Sequence, residues 1–165
     1  MTKRKIMKPL PYKNIDNRLV IDFENYCTYY LHVIGNKLSQ QASRIYQRQS
    51  GLGVVEWRCL AVFAMHEDAT ASMVCQLSSM DKALVSRAIQ KLRDKNYLIS
   101  STRLHKGKAE PLKITDLGLE VHSELLNLSI EREGKLRGSL SEEDIIEFLR
   151  VAKIMYKNTE EMDQS

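Results

Sequence analysis

Apolar positions in the first third of this chain recur at helical spacing. From Asn17 onward, Phe23, Cys27, Tyr30, Ile34, Leu38, Ala42 and Ile45 succeed one another at steps of three and four, which draws one stripe along a helix. The pattern predicts a helix of roughly thirty residues, long for a small monomeric domain and in need of a partner along much of its length. Gly51-Leu52-Gly53 breaks it. Val54 to His66 predicts a second helix, apolar on much of its circumference through Val55, Cys59, Leu60, Val62 and Phe63. Thr70 or Ser72 caps a third, with Met73, Val74 and Leu77 inward. Ser78-Ser79-Met80 makes a tight connection, and Asp81 caps a fourth helix. Its inward stripe is Val85, Ala88, Ile89 and Leu92. Asn96 stands just past its end, where a left-handed residue is needed.

After Tyr97 the period changes. Residues 97–104 and 110–115 predict two short strands around the basic tip His105-Lys106-Gly107-Lys108, a β-hairpin with glycine in its loop. Thr115-Asp-Leu-Gly opens a fifth helix, with Leu119, His122, Leu125, Leu126 and Ser129 in register. Ser139-Leu-Ser-Glu-Glu starts a sixth, whose stripe is Ile145, Phe148 or Leu149, Ala152 and Met155. The acidic tail beyond Asn158 is expected to fray. Residues 1–16, with two prolines and little periodicity, predict a flexible basic arm. The expected fold class is mainly α with a small β-hairpin wing.

Composition narrows the class. With 43% hydrophobic, 28% charged and only 7% aromatic residues, the chain has a globular balance that favours helices over a sandwich or barrel. No apolar run approaches the roughly twenty residues of a membrane span, and no signal peptide is apparent. Cys27, Cys59 and Cys75 are an odd, widely spaced set, neither a disulfide framework nor a zinc ribbon. Reduced thiols and a cytoplasmic location are the expectation. The net charge of +4 is unevenly distributed. Residues 81–113 hold nine basic and three acidic residues, a net +6 against −2 for the rest. Such clustering suits a polyanion, and otherwise describes a solvated charged face.

Helix, short turn, helix and hairpin form the winged helix-turn-helix order, and the chemistry of the fourth helix fits it. A helix enters the major groove of B-DNA, where exposed side chains reach base edges. Ser86 and Gln90 can exchange hydrogen bonds with bases or phosphates. Arg87 can contact guanine with two prongs, as lysine cannot. Lys82 and Lys91 sit near the rims, for phosphates. Ala83 shares this surface. Leu84 also faces outward by spacing, to meet a thymine methyl or to pack on the neighbouring helix. The hairpin would offer Arg103, Lys106 and Lys108 to the adjacent narrow minor groove.

Several blocks carry a resemblance. They are Leu52-Gly-Val-Val-Glu-Trp-Arg-Cys-Leu60, Met80-Asp-Lys-Ala-Leu-Val-Ser-Arg-Ala-Ile-Gln-Lys-Leu92, Asp94-Lys-Asn-Tyr-Leu-Ile99 and Leu112-Lys-Ile-Thr-Asp-Leu-Gly118. Residues 52–118 resemble the MarR family of bacterial transcription regulators, and the flanking helices extend the likeness over about residues 20–158. The resemblance implies a homodimer whose first, fifth and sixth helices form a dimerisation layer. On this chain that layer takes residues 17–50 and 116–160, and the winged helix-turn-helix lobe takes 52–115. It also implies binding of double-stranded DNA by the fourth helix and the wing. One departure stands out. The family wing carries an Asp-x-Arg pair, and counting back from Ile114-Thr115 places Lys106 at the Asp and Lys108 at the Arg. Lysine suits a narrow groove less well than guanidinium, so the wing should contribute less to sequence choice.

MarR-like proteins commonly answer to a small aromatic ligand, others to thiol oxidation. Tyr30, Trp57 and Arg58 could hold an aromatic or phenolic carboxylate, or could be core and interface residues. Cys27 could be a redox thiol. Glu24 lies within a turn of it and no lysine or arginine does, which favours a buried structural cysteine. His66-Glu67-Asp68 cannot converge on one ion from a helix end, so no metal and no cofactor are expected. Neither a phosphate loop nor a nucleophile motif is present, which argues against an enzyme. A winged-helix protein-interaction module is the remaining rival. It has no need of the charge concentrated on residues 81–113.

Overall fold

The computed structural model of the protein describes residues 10–101 and 110–162. They fall into two compact units, one ending at Leu119 and one beginning at Glu120. In chain order the elements are β1 (Tyr12–Ile15), β2 (Arg18–Ile21), a 3-10 turn (Phe23–Asn25), α1 (Cys27–Ser50), α2 (Val54–Met65), α3 (Ala71–Ser78), α4 (Lys82–Asp94), β3 (Leu98–Ser100), β4 (Leu112–Ile114), α5 (Asp116–Arg137) and α6 (Glu142–Met162).

The first difference from expectation is at the start. Residues 12–21 are an antiparallel hairpin with Tyr12 opposite Ile21 and Ile15 opposite Arg18, where a flexible arm running into a helix at Asn17 was expected. The turn residues Asp16 and Asn17 both have positive φ, 49° and 63°. That is the conformation a two-residue loop needs to match strand twist, and Asp and Asn tolerate it. The hairpin is tied to Asp22, the residue directly after its second strand. The Asp22 backbone N–H donates to the Pro11 carbonyl at 3.0 Å, and Lys13 pairs with the Asp22 carboxylate at 3.0 Å. The helix α1 therefore starts only at Cys27.

The stripe along α1 divides in two. Ala42 and Tyr46 are buried, while Tyr30, Leu31 and Ile34 stand exposed. Gly51 ends the helix with φ 68°. The core of the first unit then assembles from Leu52, Cys59, Leu60, Phe63, Val74, Val85, Leu92, Leu98 and Leu112, all nearly inaccessible. Leu77, expected inward, is exposed, because α3 is only eight residues long and buries Val74 alone. Thr70 is its cap, accepting from the Met73 N–H. In the second unit α6 opens on a capping arrangement in which Ser141 Oγ accepts from the Asp144 N–H and the Asp144 carboxylate accepts from the Ser141 N–H. No residue of α6 is fully buried. The helix runs to Met162, four residues past the expected fraying point.

The end of the wing explains the Ile-Thr-x-x-Gly block. Leu98 pairs with Ile114 and Ser100 with Leu112. The Thr115 hydroxyl donates to the Asn96 carbonyl at 2.8 Å and accepts from the Gly118 N–H at 3.0 Å, capping α5. This turn presses Gly118 onto the chain leaving α4. A Cβ there would lie 2.4 Å from the Tyr97 carbonyl oxygen and 2.8 Å from Ile114 Cγ1. That carbonyl also accepts from the Thr115 N–H, so it cannot move aside freely. Gly118→Ala should therefore lower stability by about 1–3 kcal/mol in chemical denaturation, the usual cost of overpacking. An unchanged midpoint would contradict this packing.

Candidate nucleic-acid interface

The helix α4 is held at both ends and along one side. At its start the Asp81 carboxylate accepts from the Leu84 N–H at 2.9 Å. At its end the Tyr97 N–H reaches the Leu92 carbonyl and the Asn96 N–H the Arg93 carbonyl, with Asn96 at φ 59°. These are the two bonds of a Schellman cap, and they put asparagine in the left-handed place. Val85, Ala88, Ile89 and Leu92 are buried, and α4 packs on α2 and α3. The opposite face is open: Lys82, Ala83, Leu84, Ser86, Arg87 and Gln90 are all exposed. Leu84 is 37% accessible, which supports the outward reading of that leucine.

Not every base in the segment is free. Lys91, expected at a groove rim, donates to Glu56 Oε1 at 3.1 Å and is half-buried. Glu56 Oε2 accepts from the Gly53 N–H at 2.8 Å, so this one carboxylate caps α2 and grips α4. Burial opposes its ionisation. Hydrogen bonds from its own backbone N–H, Lys91 and Gly53 outweigh that cost and hold its carboxyl below the usual carboxylate range. Arg93 is committed too, donating to Glu110 Oε2 at 3.0 Å and to Ser100 Oγ at 3.3 Å. The Ser100 hydroxyl bonds the other Glu110 oxygen. Hydrogen bonds from Ser100 and Arg93 keep the Glu110 carboxyl below its ordinary value. Arg87, by contrast, has no acidic partner among the described residues. Gln90 donates one N–H to Asp94 at 2.8 Å. Among the described residues its carbonyl and second N–H have no other partner, and that pair can read adenine.

The strands of the wing are fastened beneath this helix. Leu112 donates to the Ala69 carbonyl at 2.9 Å, and Ser101 Oγ bonds the Asp68 carboxylate. Asp68 itself has φ 57°, so the turn between α2 and α3 is shaped to meet the wing. Arg103, Lys106 and Lys108, the three wing residues expected at the minor groove, lie outside the described residues.

The candidates for a ligand site are not gathered in one chain. Trp57 packs against Tyr46, ring centroids 5.8 Å apart, whereas Tyr30 meets Tyr29 at 5.4 Å. Tyr30 and Tyr46 are sixteen residues apart on α1, about 24 Å along the helix. Arg58 is exposed. Cys27 is exposed where burial was expected, because the N-terminal half of α1 has no cover in the single chain. Cys59 is buried, and burial pushes its thiol up to about 12. No cluster that could hold a metal occurs among the described residues. None of their helices is long and apolar enough to cross a membrane.

Residues 50–106 match the model of the MarR family. That stretch covers most of the winged helix-turn-helix lobe. Members of that family are transcription regulators, not enzymes. No curated protein matches the chain. Among solved structures it is similar to a MarR/EmrR family transcriptional regulator from Acinetobacter sp. ADP1, at 24% identity and TM-score 0.79, over 86% of this chain and 99% of that one. It is similar also to MepR of S. aureus, solved in complex with DNA, at 16% identity and TM-score 0.73, over 81% and 96% of the two chains. A MarR family regulator from Silicibacter pomeroyi DSS gives 16%, TM-score 0.75, and coverage of 92% and 97%. At these identities the likeness is one of fold, and it reaches well beyond the MarR lobe.

Sequence reading missed Glu56, Ser100 and Glu110, which place α4 and the wing of that lobe. Glu56 did carry a local signal, standing three residues after Gly53 at the third position of α2. Its second role depends on Lys91, 35 residues away. Because folding lowers the Glu56 pKa, its contribution is fully present above the ordinary glutamate value and is lost as pH falls through the folded one. Glu56→Gln should cost about 1 kcal/mol at pH 7. The gap to wild type should close in denaturation curves taken toward pH 3. A gap that persists there would remove the ionised carboxylate from this role.

Proposed function

We propose that this protein is a sequence-specific regulator of transcription that binds double-stranded DNA as a homodimer, through α4 and the wing of each subunit. The observation that carries the reading is the open face of α4. It presents an arginine without an acidic partner among the described residues, beside Ser86 and Gln90, on a MarR lobe whose other bases are partly committed. Arg87 takes the guanine-type contact, and Gln90 and Ser86 read neighbouring edges. Ala83 and Leu84 offer apolar contact to thymine methyls, and Lys82 holds phosphate. Arg103, Lys106 and Lys108 supply the wing's charge to the minor groove. Lys91 is assigned a positioning role toward Glu56 ahead of a phosphate contact. MepR, solved with DNA, supports the same use of the shared fold here.

The dimer is argued from the apolar faces that single units leave open. The N-terminal half of α1 exposes Tyr30, Leu31 and Ile34, and α6 exposes Ile146, Phe148, Leu149 and Ile154. Apolar faces of this kind want a second copy. Residues 17–50 and 116–160 therefore supply dimer contacts, and residues 52–115 supply DNA contacts. Two reading helices related by a twofold axis would meet half-sites about one DNA turn apart, ~34 Å, on a pseudo-palindrome. A dimer lying over a promoter represses by blocking polymerase. A small aromatic effector stays outside the proposal, because Tyr30, Trp57 and Arg58 are not gathered within one chain.

Two measurements test this. With a sequence selected from random DNA, Arg87→Ala should cost about 1–3 kcal/mol of affinity and relax choice at one position per half-site. Lys82→Ala should weaken selected and random DNA alike. If each subunit neutralises about three to five phosphates, log affinity should fall against log salt with a slope of about −5 to −9. A flat salt response, or an Arg87→Ala variant that binds the selected site unchanged, would overturn the reading.

A further inference from the structure

Two lysines at the end of α4 close on the joint between α1 and α2. That joint is Gly51-Leu52-Gly53. Gly51 turns the chain at φ 68°, and its N–H donates to the Gln47 carbonyl at 3.0 Å. The last carbonyls of α1 therefore collect at this point. Lys95, the C-cap of α4, reaches it. A Cβ on Gly51 would lie 3.3 Å from Lys95 Nζ and 3.8 Å from its Cε. A cation is favoured at the C-terminal end of a helix. The Tyr97 ring steadies the same ammonium, its centroid 5.9 Å away. Lys95 is half-buried there. One turn earlier, Lys91 pairs with Glu56, whose other oxygen accepts from the Gly53 N–H. Each glycine of the joint thus has a lysine of α4 seated on it, the second through a carboxylate.

The joint stands where α1 meets the lobe. Helix α1 carries the proposed dimer contact in its N-terminal half and has 24 residues, a rod of about 36 Å. Leu52 is buried and Trp57 packs on Tyr46, which seats α1 on α2. Lys95 adds a tie from α4 to the end of α1, while Lys91 and Glu56 hold the base of α4 at the start of α2. Helix α4 has 13 residues, so its first turn lies about 20 Å from the joint. Rotating the lobe about the joint by about 10° would carry that turn through ~3.4 Å, the rise of one base pair. A small change of angle here is therefore enough to change the spacing at which two copies of α4 meet a duplex.

We propose that Lys95 is a positioning residue for half-site spacing: seated on the C-terminal end of α1, it fixes the angle between that helix and α4. The inference rests on the homodimer reading and adds to it the residue that sets the distance between half-sites. The test takes the full-length chain and half-sites selected from random DNA, in duplexes with the selected spacer and with one base pair added or removed. Wild type should bind the selected spacer about tenfold more tightly than either neighbour, the usual cost of one wrong base pair. Lys95→Met keeps the stem and loses the charge. It should lower that preference to about threefold or less, as loss of a cation at a helix end would. Base choice inside each half-site and the slope of log affinity against log salt should not change. Lys95→Arg, which keeps the cation, should keep the wild-type preference. Circular dichroism and sedimentation should show both variants folded and dimeric. A Lys95→Met variant with the wild-type spacer preference overturns this inference and leaves the dimer reading standing. Equal weakening at all three spacers does the same. So does a salt slope flattened by about one unit, which would make Lys95 a phosphate contact. A wild-type monomer that binds one half-site as tightly as the pair overturns the homodimer reading and this inference with it.

Discussion

Burial of one side of α4 sets the geometry of the winged helix-turn-helix lobe. Val85, Ala88, Ile89 and Leu92 lock the helix into the core, and that leaves its other side no role inside the lobe. A helix buried on one stripe fixes the direction of every remaining side chain to within a rotamer. Arg87, Ser86 and Gln90 are therefore presented together, without needing contacts of their own to hold the backbone. The two caps matter for the same reason. Asp81 and the turn at Asn96 satisfy backbone groups that would otherwise seek other partners. The helix thus presents its exposed face between two fixed ends.

Around that helix the lobe uses charge in two ways. Glu56 and Glu110 consume Lys91 and Arg93 as internal ties, one to α2 and one to the base of the wing. Arg87 and Lys82 are kept clear of such partners among the described residues. Bases at the C-terminal end of α4 thus position, and bases at its N-terminal end remain for contact. The division suits a helix whose first turns enter a groove. It also shows why net charge in a segment overstates the charge that segment can offer a ligand.

Much of this was legible from residue order. The α4 stripe, the Asp81 cap, the left-handed Asn96 and the two strands flanking the wing all come from spacing and cap chemistry, which act within a turn or two. Gly118 is the instructive intermediate case. The Ile-Thr-x-x-Gly block was recognisable as a pattern, but its cause is the approach of Tyr97 from twenty-one residues back. The N-terminal hairpin failed for a different reason. Its Asp16-Asn17 turn was read as part of a flexible arm and the start of a helix, because short alternating runs with prolines before them give a weak periodic signal and the long stripe beginning at Phe23 outweighed it.

Residue order was enough to locate helices α2 to α6, the buried stripe of α4 and the cluster of basic residues, because periodicity and capping are properties of neighbouring residues; it misjudged the start of α1 and the Leu77 side of α3. Which of those bases stay open, that Lys91 pairs with Glu56 and Arg93 with Glu110, and that Tyr30 and Trp57 stand apart came from the packing alone. Those outcomes depend on pairs of groups 17 to 35 residues apart meeting at about 3 Å. Nothing in the local order of residues encodes such a meeting; it exists only once the core has brought the helices together.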